Sequence, residues 1–200
     1  MNYSPPSASG LQLRWADWHS RKPSDVETGG AKNGANLSTV SLRWENEGWT
    51  ADGIITSDKA HFVLRLSAQW VVQQFLLFRD LEEPDLWLAN AGGGRWGEMN
   101  GAHRTELDGC VDIDLAGTPF TNAIPIRRLP LLVGHSATLN VIAVDIETLG
   151  VTVQPQIYTR VDTHKWRYTS MALRSEVEVE VDEMGFVTDE PGAFRRSKNF

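Results

Sequence analysis

Nearly every structured stretch of this chain alternates with a period of two, and that alternation restricts it to sheet. Glu176-Val177-Glu178-Val179-Glu180-Val181 is the cleanest case. Its valines share one side of an extended backbone and its glutamates the other. Phe62, Leu64 and Leu66 alternate with Val63, Arg65 and Ser67, and Leu139, Val141 and Ala143 oppose Thr138, Asn140 and Ile142. Val151-Thr152-Val153-Gln154 follows the same rule, and Ala68 to Phe78 is read as strand too. After Val181, Asp182-Glu183-Met184-Gly185 supplies a turn and Phe186-Val187 opens a return strand. Neither a βαβ rhythm nor a repeat is visible. Ten or more twisted strands in one sheet tend to curl, close or split. The expected class is therefore all-β: a single large, mostly antiparallel β-barrel or half-barrel with few short helices. A wall too wide for its own side chains to fill leaves an internal cavity.

The 200 residues suit one such domain, expected over residues 11–196. Residues 1–10, rich in Ser and Pro, are expected to be disordered, and 197–200 to be a polar tail. Ser20 to Asn36 reads as a long loop. A net charge of −7 argues against a nucleic-acid partner, whose phosphates need a basic face. The single Cys110 forms no intramolecular disulfide and reads as a small buried residue. Trp70 to Phe78, the longest apolar stretch, is interrupted by Gln73 and Gln74 and is too short to span a bilayer. With no basic-then-apolar leader in Met1 to Gly10, the expectation is a cytoplasmic protein without an integral membrane segment. Nothing in the residues specifies an oligomeric state.

Catalytic templates mostly fail. Gly92-Gly93-Gly94-Arg95-Trp96-Gly97 matches GxGxxG, but Glu98-Met99-Asn100-Gly101 does not open a helix, so a glycine-rich hairpin loop is expected and no nucleotide cofactor. The five histidines are scattered, which predicts no metal site. Asp112 and Asp114 are the one acidic pair of interest; two apart on a strand, they lie about 6.5 Å apart along it. That spacing suits an acid/base couple, a cation or sugar hydroxyls. It suits equally a buried network in which both aspartates pair with Arg127 and Arg128. Eight tryptophans are many for this length. Such rings fill barrels or line pockets, where they stack on sugars, and Trp15, Trp44 and Trp70 are the candidates for contact with a ring or chain. Gln156, Tyr158 and Tyr168, on two polar-aromatic strands, are candidates to hydrogen-bond a ligand in a wide lumen.

The densest constellation runs from Gly109 to Leu129. Val111, Ile113 and Leu115 take one side of a strand and Asp112 and Asp114 the other; Thr118-Pro119-Phe120-Thr121-Asn122 is rich in turn formers; Ile124 to Leu129 is expected to be a basic strand. Gly109-Cys110-Val111-Asp112-Ile113-Asp114-Leu115, Thr118 to Asn122 and Ile124-Pro125-Ile126-Arg127-Arg128-Leu129 together resemble the signature of the bacterial glycolipid-binding family, formerly a domain of unknown function. Leu13-Arg14-Trp15, Gly48-Trp49 and Gly94-Arg95-Trp96 resemble its N-terminal landmarks; Gln156-Ile157-Tyr158-Thr159, Trp166-Arg167-Tyr168 and Phe194-Arg195-Arg196 its C-terminal ones. The chain departs from the family at Ser67-Ala68-Gln69 and at Glu190-Pro191. The resemblance implies a many-stranded β-barrel similar to lipoprotein carriers, with a lumen for a lipid. On that basis the expected function is non-catalytic binding of a lipid or glycolipid. The head would meet Asp112, Asp114, Thr121, Asn122, Arg127 and Arg128. The alternatives are an enzyme acting on a sugar or small amphiphile through Asp112 and Asp114, and a purely structural central motif.

Overall fold

The computed structural model of the chain describes residues 3–18, 37–79, 83–171 and 174–197; the expected loop Ser20 to Asn36 lies outside them. The described strands are Leu11–Asp17 (β1), Leu37–Glu45 (β2), Gly48–Ile55 (β3), Ala60–Ser67 (β4), Val72–Phe78 (β5), Leu86–Asn90 (β6) and Trp96–Glu98 (β7). Asp112–Leu115 (β8), Ser136–Val144 (β9), Val151–Asp162 (β10), Lys165–Ser170 (β11), Ser175–Val181 (β12), Val187–Glu190 (β13) and Phe194–Arg196 (β14) complete one fourteen-stranded sheet. Its order is β7-β6-β5-β4-β3-β2-β1-β14-β13-β12-β11-β10-β9-β8. All neighbours pair antiparallel except β8 and β9. Among the described residues no helix is long and apolar enough to cross a membrane.

The alternation read from the sequence sets one face of this sheet inward. Leu13, Trp15, Val40, Leu42, Phe62, Leu64, Phe75 and Leu77 are buried on it, whereas Glu176, Glu178, Lys165 and Arg167 pair with one another on the outside. The sheet curls without closing, so the half-barrel form of the expectation holds and the closed one does not. Edge strand β8 tucks under the far end. Val72 N–H donates to Val111 O at 3.2 Å, the Trp96 indole N–H to Cys110 O at 2.8 Å, and Arg79 to Glu147 O at 3.0 Å. Ile113, Leu115, Ile142 and Val144, on the second face of β8 and β9, belong to the same apolar cluster as Leu66, Phe75, Leu77 and Leu88. Both faces of β8 and of Val141 to Val144, the part of β9 paired with it, are thus covered.

The glycine-rich hairpin appears as expected between β6 and β7. Two expectations do not hold. The stretch after β8 is not a strand: Pro119 to Asn122 forms a 3-10 turn that runs into a helix, Ala123–Arg128 (α1). Residues 3–10 are also not loose throughout. Ser4 N–H donates to Glu183 O at 3.0 Å, and Tyr3 accepts the Trp166 indole N–H at 2.6 Å.

Candidate functional site

The segment that builds the site begins at Thr118. Its hydroxyl accepts from Phe120 N–H at 3.3 Å and from Ser38 at 2.7 Å, which caps the 3-10 turn and ties it to β2. Pro119 fits the first helical position, where its missing N–H costs nothing, and Pro125 falls within the first turn of α1 for the same reason. Phe120, Ala123, Ile124 and Ile126 are buried all round the segment, so it lies inside the curl of the sheet. Phe120 stacks on Phe186 at 6.1 Å. The expected lumen is corrected here: in the apolar half of the concavity, the protein's own turn and helix occupy the place foreseen for a lipid chain.

The other half holds a polar cluster. Asp112, 1% exposed, takes both Nε and Nη2 of Arg128, a fork that matches a carboxylate. Asp114 Oδ2 accepts from Gln156 Nε2 at 2.6 Å. Asn122 Oδ1 accepts from the Tyr158 hydroxyl at 3.1 Å. Glu190 Oε1 accepts from the Tyr168 hydroxyl at 2.9 Å, and Asn122 Nδ2 points at Glu190 Oε2 from 3.5 Å. Tyr158 and Tyr168 are partners across β10 and β11, with rings stacked at 5.9 Å. Thr121 accepts Leu115 N–H at 3.3 Å and so holds the turn against β8 rather than facing the cluster.

Charge in this cluster is unbalanced. Burial pushes the Asp112 carboxyl up, against the opposing pull of Arg128. Burial also raises Asp114 and Glu190, and the charge of Asp114 raises Glu190 further. Both tyrosine hydroxyls are pushed up by burial first and by the neighbouring carboxyls second. Asp114 and Glu190 meet neutral donors only, so no cation offsets their burial, and either carboxyl, when protonated, can both give and take a hydrogen bond. Asp114 and Tyr168 keep some surface, whereas Gln156 is 1% exposed and its Oε1 has no hydrogen-bond partner. A buried acceptor left unpaired costs about 1–3 kcal/mol.

The remaining expected residues lie elsewhere. Arg127 does not pair with an aspartate. Its guanidinium sits 4.2 Å above the Trp70 ring and reaches Ser4 O at 3.4 Å, and burial lowers it to about 10. Trp70 is buried with φ of 64°. Trp15 is core, its indole N–H given to Val187 O at 2.8 Å. Trp44 is 40% exposed and stands edge-on to Trp49 at 5.0 Å. No group of three or more His, Cys, Asp or Glu able to hold a metal forms among the described residues. Glu190 is the residue that sequence reasoning missed. Its place before Pro191 marks a strand end, but no local pattern says that it turns inward.

The family model described as "Putative glycolipid-binding" matches residues 30–196. A crystal structure of a DUF1089 family protein from Pseudomonas aeruginosa is similar, with a TM-score of 0.71 and 28% identity, covering 86% of this chain and 98% of that one. No curated protein matches. The match over most of the length, together with the curled sheet, is decisive: the chain belongs to the glycolipid-binding family.

Proposed function

We propose that the protein binds a glycolipid through its hydroxylated head, held by Asp114, Gln156, Tyr168 and Glu190 on the concave face and left chemically unchanged. The observation that carries this reading is the orphaned Gln156 Oε1 beside a carboxyl that faces no cation. A sugar hydroxyl donating to Gln156 and accepting from the Asp114 acid supplies both missing partners. Tyr168, stacked on the buried Tyr158, adds an apolar surface for the ring. Phe120, Ile124 and Phe186 fill the apolar half, so the acyl chains stay outside it. Native mass spectrometry of gently purified protein tests the reading. A lipid adduct is expected, removed by detergent and absent from Gln156→Leu; identical masses before and after delipidation contradict it.

The enzymatic alternative takes a changed form. Asp112 is committed to Arg128, and the couple with raised carboxyls is Asp114 with Glu190. That couple favours general acid chemistry on a sugar. Asp114→Asn abolishes turnover of such a substrate, whereas in the binding reading no turnover exists to lose.

A further inference from the structure

A second concentration of binding groups lies on the convex face of β4 to β7, across the sheet from the concave cluster. Arg65, Gln74, Ala89 and Gly97 stand in one row across the four strands, partner to partner. Cross-strand partners share a face, and the last two carry almost no side chain, so the row sinks into a depression as it crosses β6 and β7. Trp87, two residues along β6 from Ala89, forms one wall, and Arg95 and His103 bound the groove, whose volume is about 720 Å³. That size is ordinary for a small-molecule site.

Four side chains that line the groove are idle within the described protein. Trp15, Trp96 and Trp166 each give their indole N–H to a protein acceptor, at 2.8, 2.8 and 2.6 Å. Trp87, Gln73, Gln74 and Arg95 make no side-chain hydrogen bond to another described residue. The charges around them are mostly matched. Arg65 turns to Glu45 and Thr50, His103 bonds Asp108 at 2.9 Å, and Glu98 takes Arg104 at 2.7 Å. Arg95, whose charge also acts on Asp108, makes no side-chain hydrogen bond to another described residue and stands exposed over the groove.

We propose that this groove binds a uronic-acid residue of an acidic saccharide. The apolar face of a pyranose stacks on Trp87, and the bare floor at Ala89 and Gly97 lets the ring lie flat. The Gln73 and Gln74 amides pair with ring hydroxyls, and the Arg95 fork matches the ring carboxylate. The proposal is independent of the concave site, and the two fail separately: Asp114→Ala leaves this groove intact.

Titration calorimetry with tri-galacturonate and with maltotriose tests it. The uronate is expected to bind at least tenfold more tightly than the neutral trimer, and Arg95→Gln to remove that preference. Trp87→Ala is expected to weaken both at least tenfold. Ala89→Gln fills the floor from the half-buried outer side of β6 and is expected to abolish binding while the protein still melts cooperatively. No heat with either trimer overturns the proposal, as does full binding by Ala89→Gln. A dimer by light scattering that Ala89→Gln dissociates also overturns it, because the groove would then seat a second copy of the chain.

Discussion

Asp112 and Arg128 share a charge pair on unequal terms, since their side chains are 1% and 19% exposed. Arg128→Met strands a carboxylate in the interior, and breaking a buried pair in this way costs about 3–5 kcal/mol. Asp112→Asn leaves a guanidinium that can turn to water, so it costs less. We predict that order in urea denaturation at pH 7, with Arg128→Met partly recovering in acid as Asp112 takes up a proton; equal losses at every pH contradict it. Asp114 and Glu190 carry the opposite of the usual carboxylate behaviour. Burial raises both in the folded protein, so the folded state holds protons that the unfolded chain releases above about pH 4. Their contribution to stability is full below that pH and is lost as pH rises through the folded values. Asp114→Asn stays neutral throughout. It is therefore expected to flatten the melting-temperature profile above pH 5 and to raise the melting temperature at pH 8, where scanning calorimetry reads the difference. The aspartate pair was legible as an acidic feature of β8. Its split into one ion-paired and one cation-free member was not, because Gln156, Tyr168 and Glu190 arrive from strands 42 to 76 residues further along the chain.

Strands were the legible elements, for the physical reason that a half-buried strand writes its burial as alternation. Glu176 to Val181 and Phe62 to Leu66 show it directly, and β12 and β4 follow. Helix α1 was not legible. Six residues make fewer than two turns, and a helix buried all round has no polar stripe to reveal a period of 3.6. The isoleucines at 124 and 126 therefore imitate a strand. Packing between β3 and β4 supplies an element-scale test. A Cβ at Gly53 would come within 2.2 Å of the Phe62 ring, which is fully buried across the pair. Gly53→Ala is expected to cost about 1–3 kcal/mol by overpacking. Phe62→Leu in the same chain is expected to recover part of that loss in thermal denaturation; additive losses would show that the ring is not the cause.

At the scale of the whole molecule the sheet behaves as a scroll rather than a tube. The Gly109 to Leu129 stretch supplies the edge strand, the turn and the plug in succession, so one continuous segment both ends the sheet and fills its apolar half. A single large, mostly antiparallel sheet could be read from composition and period. Whether it closed could not, because closure depends on how β8 meets β5, β6 and β7, a contact that no local pattern encodes. On the proposed reading, recognition concentrates in the polar half, where Gln156 lacks a hydrogen-bond partner for its Oε1. Its side-chain amide resonance under titration with octyl β-D-glucopyranoside, kept below its micelle concentration, tests that claim most directly. We predict a saturable shift of the Gln156 signal that Asp114→Ala abolishes and that octyltrimethylammonium does not reproduce; an unmoved Gln156 signal, or an equal shift with the ammonium detergent, contradicts it.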